Sequence, residues 1–154
     1  MSNGTILLVE DDTFSAELAM ACLRKGEGAA NEVVLAHDGV EAIDYLFHSE
    51  LEASDMPGLV LLDVWMPRMD GFEVLRRMRA DERTRFVPVV MLTSSIRAED
   101  VHKAYSLGAN GFLEKMSHGA PWHEMVQTAA RYWLRMNVAP NSLVGQEDGF
   151  AHRT

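Results

Sequence analysis

Five short apolar runs recur along the chain, at residues 6–9 (ILLV), 33–36 (VVLA), 59–62 (LVLL), 88–92 (PVVML) and 111–113 (GFL). Each is too short for a buried helix and rich in branched side chains, which reads as a buried strand. Between and after them, apolar residues recur at helical spacing: Phe14, Leu18, Ala21 and Cys22; Ala42, Ile43, Leu46 and Phe47; Phe72, Leu75 and Met78; Val101, Ala104 and Tyr105; and Trp122, Met125, Val126, Ala129, Trp133 and Met136. Strands that are apolar throughout and joined by helical crossovers require a parallel sheet covered on both faces. The pattern therefore predicts an α/β, doubly wound fold. Punctuation agrees with these boundaries: Gly26 and Gly28 follow the first helix, Asp38-Gly39 opens a turn, Pro57-Gly58 precedes the third strand, and Gly108 stands at a helix C-cap.

With 154 residues, one domain of ordinary size uses nearly the whole chain. The helical period ends after Met136, and Pro140, Asn141, Gly145 and Gly149 follow. A domain over 1–136 with a tail over 137–154, mobile or ordered by a partner, is the expected organisation. The net charge of −9 has the wrong sign for holding nucleic acid or anionic lipid by charge alone. Cys22 is the only cysteine, so neither an intrachain disulfide nor a Cys-rich zinc site can form. The N-terminus lacks the basic start of a signal peptide and no stretch approaches a membrane span, so a cytoplasmic protein is expected.

In open parallel sheets ligands bind beyond the carboxyl ends of the strands. There the sequence places Glu10, Asp11 and Asp12 after strand one, Asp63 after strand three, Thr93, Ser94 and Ser95 after strand four, and Lys115 after strand five. Taken singly, Asp11 or Asp12 could be only the cap of the first helix, and Thr93 to Ser95 only the cap of the fourth. Capping does not explain why several like charges and a lysine meet on one edge. Two carboxylates about 4 Å apart repel by about 4 kcal/mol at an effective dielectric near 20, so a cluster needs a cation. Oxygen ligands without His or Cys favour Mg²⁺. Beside such an ion, Asp63 can attack phosphorus and become an aspartyl phosphate. The metal, Lys115, and the Thr93 hydroxyl with a neighbouring backbone N–H would then share the equatorial oxygens, and Ser94 is the candidate for that N–H.

The motifs Ile6-Leu7-Leu8-Val9-Glu10-Asp11-Asp12, Leu61-Leu62-Asp63-Val64-Trp65-Met66-Pro67 continuing to Met69-Asp70-Gly71, Met91-Leu92-Thr93-Ser94-Ser95, and Gly111-Phe112-Leu113-Glu114-Lys115 closely resemble the receiver domains of two-component response regulators, the CheY-like family. The resemblance covers about residues 5 to 136. It implies strand order 2-1-3-4-5, Asp63 as phosphoacceptor, Glu10 and Asp11 as the acidic pair for Mg²⁺, and Trp65 as the position whose carbonyl is a metal ligand. It also implies Thr93 as switch hydroxyl, Lys115 as the phosphate-binding lysine, and Phe112 as the aromatic that turns inward on activation. Phe112 has no hydroxyl to hydrogen-bond in an outward state. The stretches 104–110 and 132–134 are most similar to single-domain regulators paired with bacterial phytochrome histidine kinases, so a sensor histidine kinase is the implied partner. One departure stands out: Met116 follows Lys115 where the family usually has proline, often cis. A non-proline cis bond costs ~2.5 to 4 kcal/mol, so the Lys115–Met116 bond is expected to be trans.

Other readings fare worse. A dehalogenase-like phosphatase needs an acid two positions after its nucleophile, where this chain has Trp65. A flavin phosphate loop does not suit Glu10-Asp11-Asp12, and His123-Glu124 lacks a second histidine at 127. The arginines at 68, 76, 77, 79, 83 and 85, mixed with Asp70, Glu73, Asp81 and Glu82, read as a solvated face. Apolar residues left over on the last helix suggest a homodimer through the fourth and fifth helices and the fifth strand. The expected function is a phosphorylation switch. Met116 and Trp65 motivate a contrasting one, a receiver-shaped interaction module that works without phosphate.

Overall fold

The computed structural model describes residues 4–25, 32–48, 50–115 and 121–140. Five parallel strands, β1 (Thr5–Val9), β2 (Glu32–Ala36), β3 (Leu59–Asp63), β4 (Val89–Thr93) and β5 (Gly111–Glu114), form one sheet in the order β2-β1-β3-β4-β5. All ladders are parallel, with Ile6 opposite Leu59, Val60 opposite Val89 and Val90 opposite Gly111. The strand runs read from the sequence agree with these bounds to within one residue at each end. Gly26, Gly28, Met116 and residues 141–154 lie outside the described residues, and with them the trans Lys115–Met116 bond and most of the expected tail.

Alternate residues of each strand point to opposite faces. Ile6, Leu8, Leu59, Leu61, Val90 and Leu92 pack under α1 (Thr13–Leu23) and α5 (Trp122–Arg131), against Ala19, Leu23, Trp122 and Val126. Leu7, Val9, Val60, Leu62 and Met91 pack on the other side, against residues of α2 (Gly39–Ile43), α3 (Gly71–Ala80) and α4 (Ala98–Ser106). Both faces are therefore dry, which is why β3 and β4 are buried at every position. The helix α2 runs on into a wide turn over Asp44–His48, and α5 into another over Tyr132–Met136.

Several helix faces differ from the expected ones. On α1 the buried residues are Ala16, Ala19, Cys22 and Leu23, while Phe14 is 74% and Leu18 37% exposed. Apolar residues lie all round this helix, so periodicity did not fix its phase. The alanines face inward because small side chains let α1 lie close to α5. On α4 the buried pair is Asp100 and Ala104, and Tyr105 points outward. Asp38 and Gly39 do not make a free turn: Asp38 caps α2, its carboxylate accepting from the Glu41 N–H at 2.8 Å. Gly108, with φ 101°, follows the C-cap of α4 as expected.

The arginine-rich segment is mostly a solvated face, with Arg76 and Arg77 both paired to Glu73. Arg79 is different. Its guanidinium donates to the carbonyls of Val87 (2.9 Å), Arg85 (3.1 Å) and Gly108 (2.9 Å), and to Asn110 Oδ1 (2.9 Å). That Asn110 oxygen also accepts from the Val89 N–H at 2.8 Å. One side chain thus joins the end of α3, the entry to β4 and the α4–β5 turn. Hydrogen bonds to a charged group contribute roughly 1.5 to 3 kcal/mol each and are not additive, so Arg79→Met should cost about 2 to 4 kcal/mol of stability in urea denaturation. Arg76→Ala, which loses only an exposed pair, should stay within about 0.5 kcal/mol of the parent.

Candidate metal and phosphoryl centre

The carboxyl ends of β1, β3, β4 and β5 converge on one side of the sheet. The Glu10 N–H donates to Ala36 O (3.0 Å), the Val64 N–H to Leu92 O (2.9 Å) and the Lys115 N–H to Thr93 O (2.7 Å), which extends the ladders one step past the strands and holds these residues in register. A cleft of about 300 Å³ opens there, lined by Glu10, Asp11, Asp63, Trp65, Thr93, Ser94 and Lys115 together with Asp12, Ser15 and Ser95. Seven of the eight site residues expected from the sequence meet in this cleft. The eighth, Phe112, sits half-buried on β5 opposite Met91, beside a separate groove against α5. Ser15 was not foreseen. Its only signal was the capping spacing, Asp12 accepting from the Ser15 N–H at 2.8 Å.

The capping alternative holds for Asp12, which is the N-cap of α1. It fails for Thr93 to Ser95, because α4 begins after Arg97. The Thr93 hydroxyl instead donates to Ser95 O at 2.9 Å and accepts from the Ser95 N–H at 3.4 Å, so it belongs to the loop over the cleft.

Glu10 is 1% exposed, Asp63 6% and Lys115 9%. The Lys115 ammonium pairs with Glu10 Oε2, and lies 3.4 Å from Asp63 Oδ2. Glu10, Asp11 and Asp63 each bring a carboxylate oxygen within 4.8 Å of the other two. Three carboxylates, two of them buried, face one ammonium, which leaves an excess of negative charge. Carboxylate oxygens from three residues at this spacing, with an excess of negative charge, fit a hard divalent ion such as Mg²⁺, whose ligand bonds are ~2.0 to 2.1 Å. Burial, then the neighbouring Glu10 charge, push the Asp63 carboxyl up to about 7, against the pull of Lys115.

Trp65 is half exposed at the rim and stacks edge-on against Phe72 of α3, centroids 5.7 Å apart. The loop between β3 and α3 closes tightly: a Cβ on Gly71 would come 2.2 Å from the Asp63 carbonyl oxygen, so only glycine fits.

A five-stranded parallel sheet of this order with an acidic cleft at its carboxyl edge defines a receiver domain. Residues 6–127 match the response regulator receiver domain, and the chain belongs to that family. It is 37% identical over 135 residues to the probable methanogenesis regulatory protein FilR2 of Methanothrix harundinacea, covering 88% of this chain and 86% of that one. It is 35% identical over 136 residues to the response regulator Rcp1 of Synechocystis sp., covering 88% and 92%. The Mn²⁺-bound form of Rcp1 has a TM-score of 0.76 at 34% identity, with 88% and 98% covered. The phosphorylated cyanobacterial phytochrome response regulator RcpA gives 0.78 at 32% identity, covering 88% and 97%. The chain is thus a response regulator receiver homologous to phytochrome response regulators.

The raised Asp63 carboxyl has a definite sign. Its proton is bound more tightly folded than unfolded, so its stabilising contribution is complete below about pH 4 and is lost as pH rises through about 7. Without divalent ions, Asp63→Asn should therefore be more stable than the parent by about 2 to 4 kcal/mol at pH 8, and the gap should narrow towards pH 5. Denaturation at the two pH values in EDTA checks this. A divalent cation held by Asp63 would have to displace the same proton, so the affinity for such an ion, read by calorimetry with Mg²⁺, should weaken about tenfold per unit below pH 7.

Proposed function

We propose that Asp63 is the phosphoacceptor of a Mg²⁺-dependent switch, and that the donor is a phosphohistidine on a sensor histidine kinase. The observation that carries this reading is that buried Asp63 shares one cluster with buried Glu10, exposed Asp11 and Lys115. An Asp63 oxygen attacks phosphorus in line, the P–N bond to imidazole breaks, and the imidazole leaves with a proton. Glu10, Asp11, Asp63 and the Trp65 carbonyl would hold the Mg²⁺ ion, which would neutralise charge on the phosphoryl oxygens. Lys115 can leave its carboxylate partners for a phosphoryl oxygen, and the Thr93 hydroxyl can exchange Ser95 O for another, with the Ser94 N–H beside it. The protein then acts as a cytoplasmic signalling partner, not an enzyme with a turned-over substrate, and assists only its own phosphorylation and dephosphorylation. We take residues 1–136 as the receiver unit and 137–154 as a C-terminal tail. The likeness to Rcp1 and RcpA supports a phytochrome-type kinase.

The cleft has an apolar rim. Phe14 is 74%, Trp65 51% and Ile96 53% exposed, each next to or among the lining residues and each from a different segment. A kinase surface presenting its histidine to Asp63 must cover this rim, and exposed aromatics so placed are natural anchors. A second surface lies at the edge strand β5, where a groove of about 410 Å³ runs between β5 and α5 beside Phe112, Met125 and Trp133. Tyr105, Tyr132 and Met136 are all about half exposed or more. These features support a homodimer through α4, β5 and α5, and sedimentation at tens of micromolar should show it, at least with a phosphoryl mimic bound.

Incubation with acetyl phosphate and Mg²⁺ should add one base-labile phosphoryl group per chain, and none in EDTA or in Asp63→Asn. Intact-protein mass spectrometry reads this directly, and a parent that stays unmodified would favour the phosphate-independent module. Phe14→Ala should slow transfer from the cognate kinase about tenfold, one anchor of about 1.4 kcal/mol. It should leave acetyl phosphate labelling unchanged.

A further inference from the structure

Arg68 is the only described residue other than glycine with a positive φ, 69°. Across it the Met69 N–H donates to the Pro67 carbonyl at 2.8 Å, which closes a γ-turn of the hand that side chains disfavour. The turn lies in the loop from Asp63 to Gly71, whose Trp65 lines the cleft. Two contacts from another part of the chain meet at this turn. The Arg68 guanidinium pairs with Asp38 Oδ2, thirty residues earlier, and the Asp38 side chain is only 8% exposed. A Cβ on Gly39 would come 2.5 Å from the Met69 carbonyl oxygen, so the first turn of α2 presses on the same backbone. The far end of the loop is fixed as well, the Gly71 N–H donating to Val64 O at 2.8 Å.

Capping alone does not account for Asp38. Its Oδ1 serves the Glu41 N–H of α2, which an asparagine would do equally well. Its Oδ2 is free to hold a cation, and Arg68 supplies one by adopting a backbone conformation that arginine rarely takes. An ion pair between two exposed side chains would contribute little, but here the acceptor is buried and already oriented by its second bond.

We propose that Asp38 and Arg68 form a clamp that holds the β3–α3 loop in its γ-turn and so positions the Val64 to Pro67 backbone, Trp65 included, as one wall of the cation site. Both are positioning residues, and the clamp rests on the metal reading of the cleft given above. It predicts that ion affinity depends on two side chains that do not line that cleft.

The test is calorimetric Mg²⁺ binding to the full chain and to Asp38→Asn, Arg68→Ala and Arg68→Lys, with amide exchange over residues 65–70. Asp38→Asn keeps the α2 cap and Arg68→Ala leaves Asp38 intact, so neither fold depends on the same loss. Both should weaken Mg²⁺ about tenfold, the low end for an outer partner of a metal ligand, and both should speed exchange in the loop. Arg68→Lys should recover part of the affinity, since it keeps the charge and loses the planar fork. A lower melting temperature with Mg²⁺ affinity unchanged in Asp38→Asn and Arg68→Ala would overturn the clamp, because a purely structural role moves the first and not the second. A parent chain that binds no Mg²⁺ at millimolar concentration would overturn the metal reading itself and the clamp with it.

Discussion

A single buried lysine set against three converging carboxylates governs the rest of this structure. Lys115 is almost fully enclosed and pairs with both Glu10 and Asp63. Removing one member of a buried ion pair commonly costs ~3 to 5 kcal/mol, because the other is left uncompensated. Here even the complete set is out of balance: burial, then the Glu10 charge, raise the Asp63 carboxyl to about 7 against the pull of Lys115. Such a cluster does not serve stability. It persists because β1, β3 and β5, held in register in one sheet whose central strand β3 is buried at every position, deliver its members to fixed places regardless of how they repel.

The fold does this with little local help. Glu10, Asp63 and Lys115 stand at or just past the ends of β1, β3 and β5, and ladder hydrogen bonds continue to Glu10, Val64 and Lys115 beyond or beside those ends. Their positions therefore follow from sheet register, which the apolar alternation of the strands enforces. The loops refine the result: Gly71 lets α3 start against the Asp63 carbonyl, and Gly39 lets α2 start against Met69. Any larger residue at either place would push a helix away from the edge where the acids meet.

The same hierarchy explains what could be read from the sequence. Strand positions were legible because runs such as LVLL and PVVML have no polar face to confuse them. The site was legible because strand ends are where ligands bind, so Asp63 and Lys115 could be placed together from opposite halves of the chain. Helix phase on α1 was not, since Phe14, Ala16, Leu18 and Ala19 are all apolar and only the close approach of α5 selects the alanines. Arg79 and Arg68 were lost in a basic run that looked uniformly solvated. Their partners are backbone carbonyls and an aspartate thirty residues away, contacts that exist only after the chain has folded. Phe112 was named as a switch residue by family resemblance alone, and it stands outside the cleft, on β5 against the α3 and α4 side of the sheet.

That separation of Phe112 from the cleft bears on how a local charge change would reach a surface. Lys115 and Thr93 are joined through the backbone, the Lys115 N–H donating to the Thr93 carbonyl at 2.7 Å. A phosphoryl group on Asp63 would draw the ammonium of one and the hydroxyl of the other towards the same oxygens, so the ends of β4 and β5 would shift together. The Thr93 hydroxyl would have to give up Ser95 O, loosening the loop that leads into α4. Phe112 lies on β5 three residues before Lys115, opposite Met91, and packs with it on the face of the sheet that carries α3 and α4. A displacement of β5 by a fraction of an ångström at Lys115 would change how that ring packs, and packed interiors respond by changing population between arrangements more readily than by bending. The α4 side of β5 is thus where a charge change at Asp63 would become a change of surface, through one main-chain hydrogen bond and one edge strand.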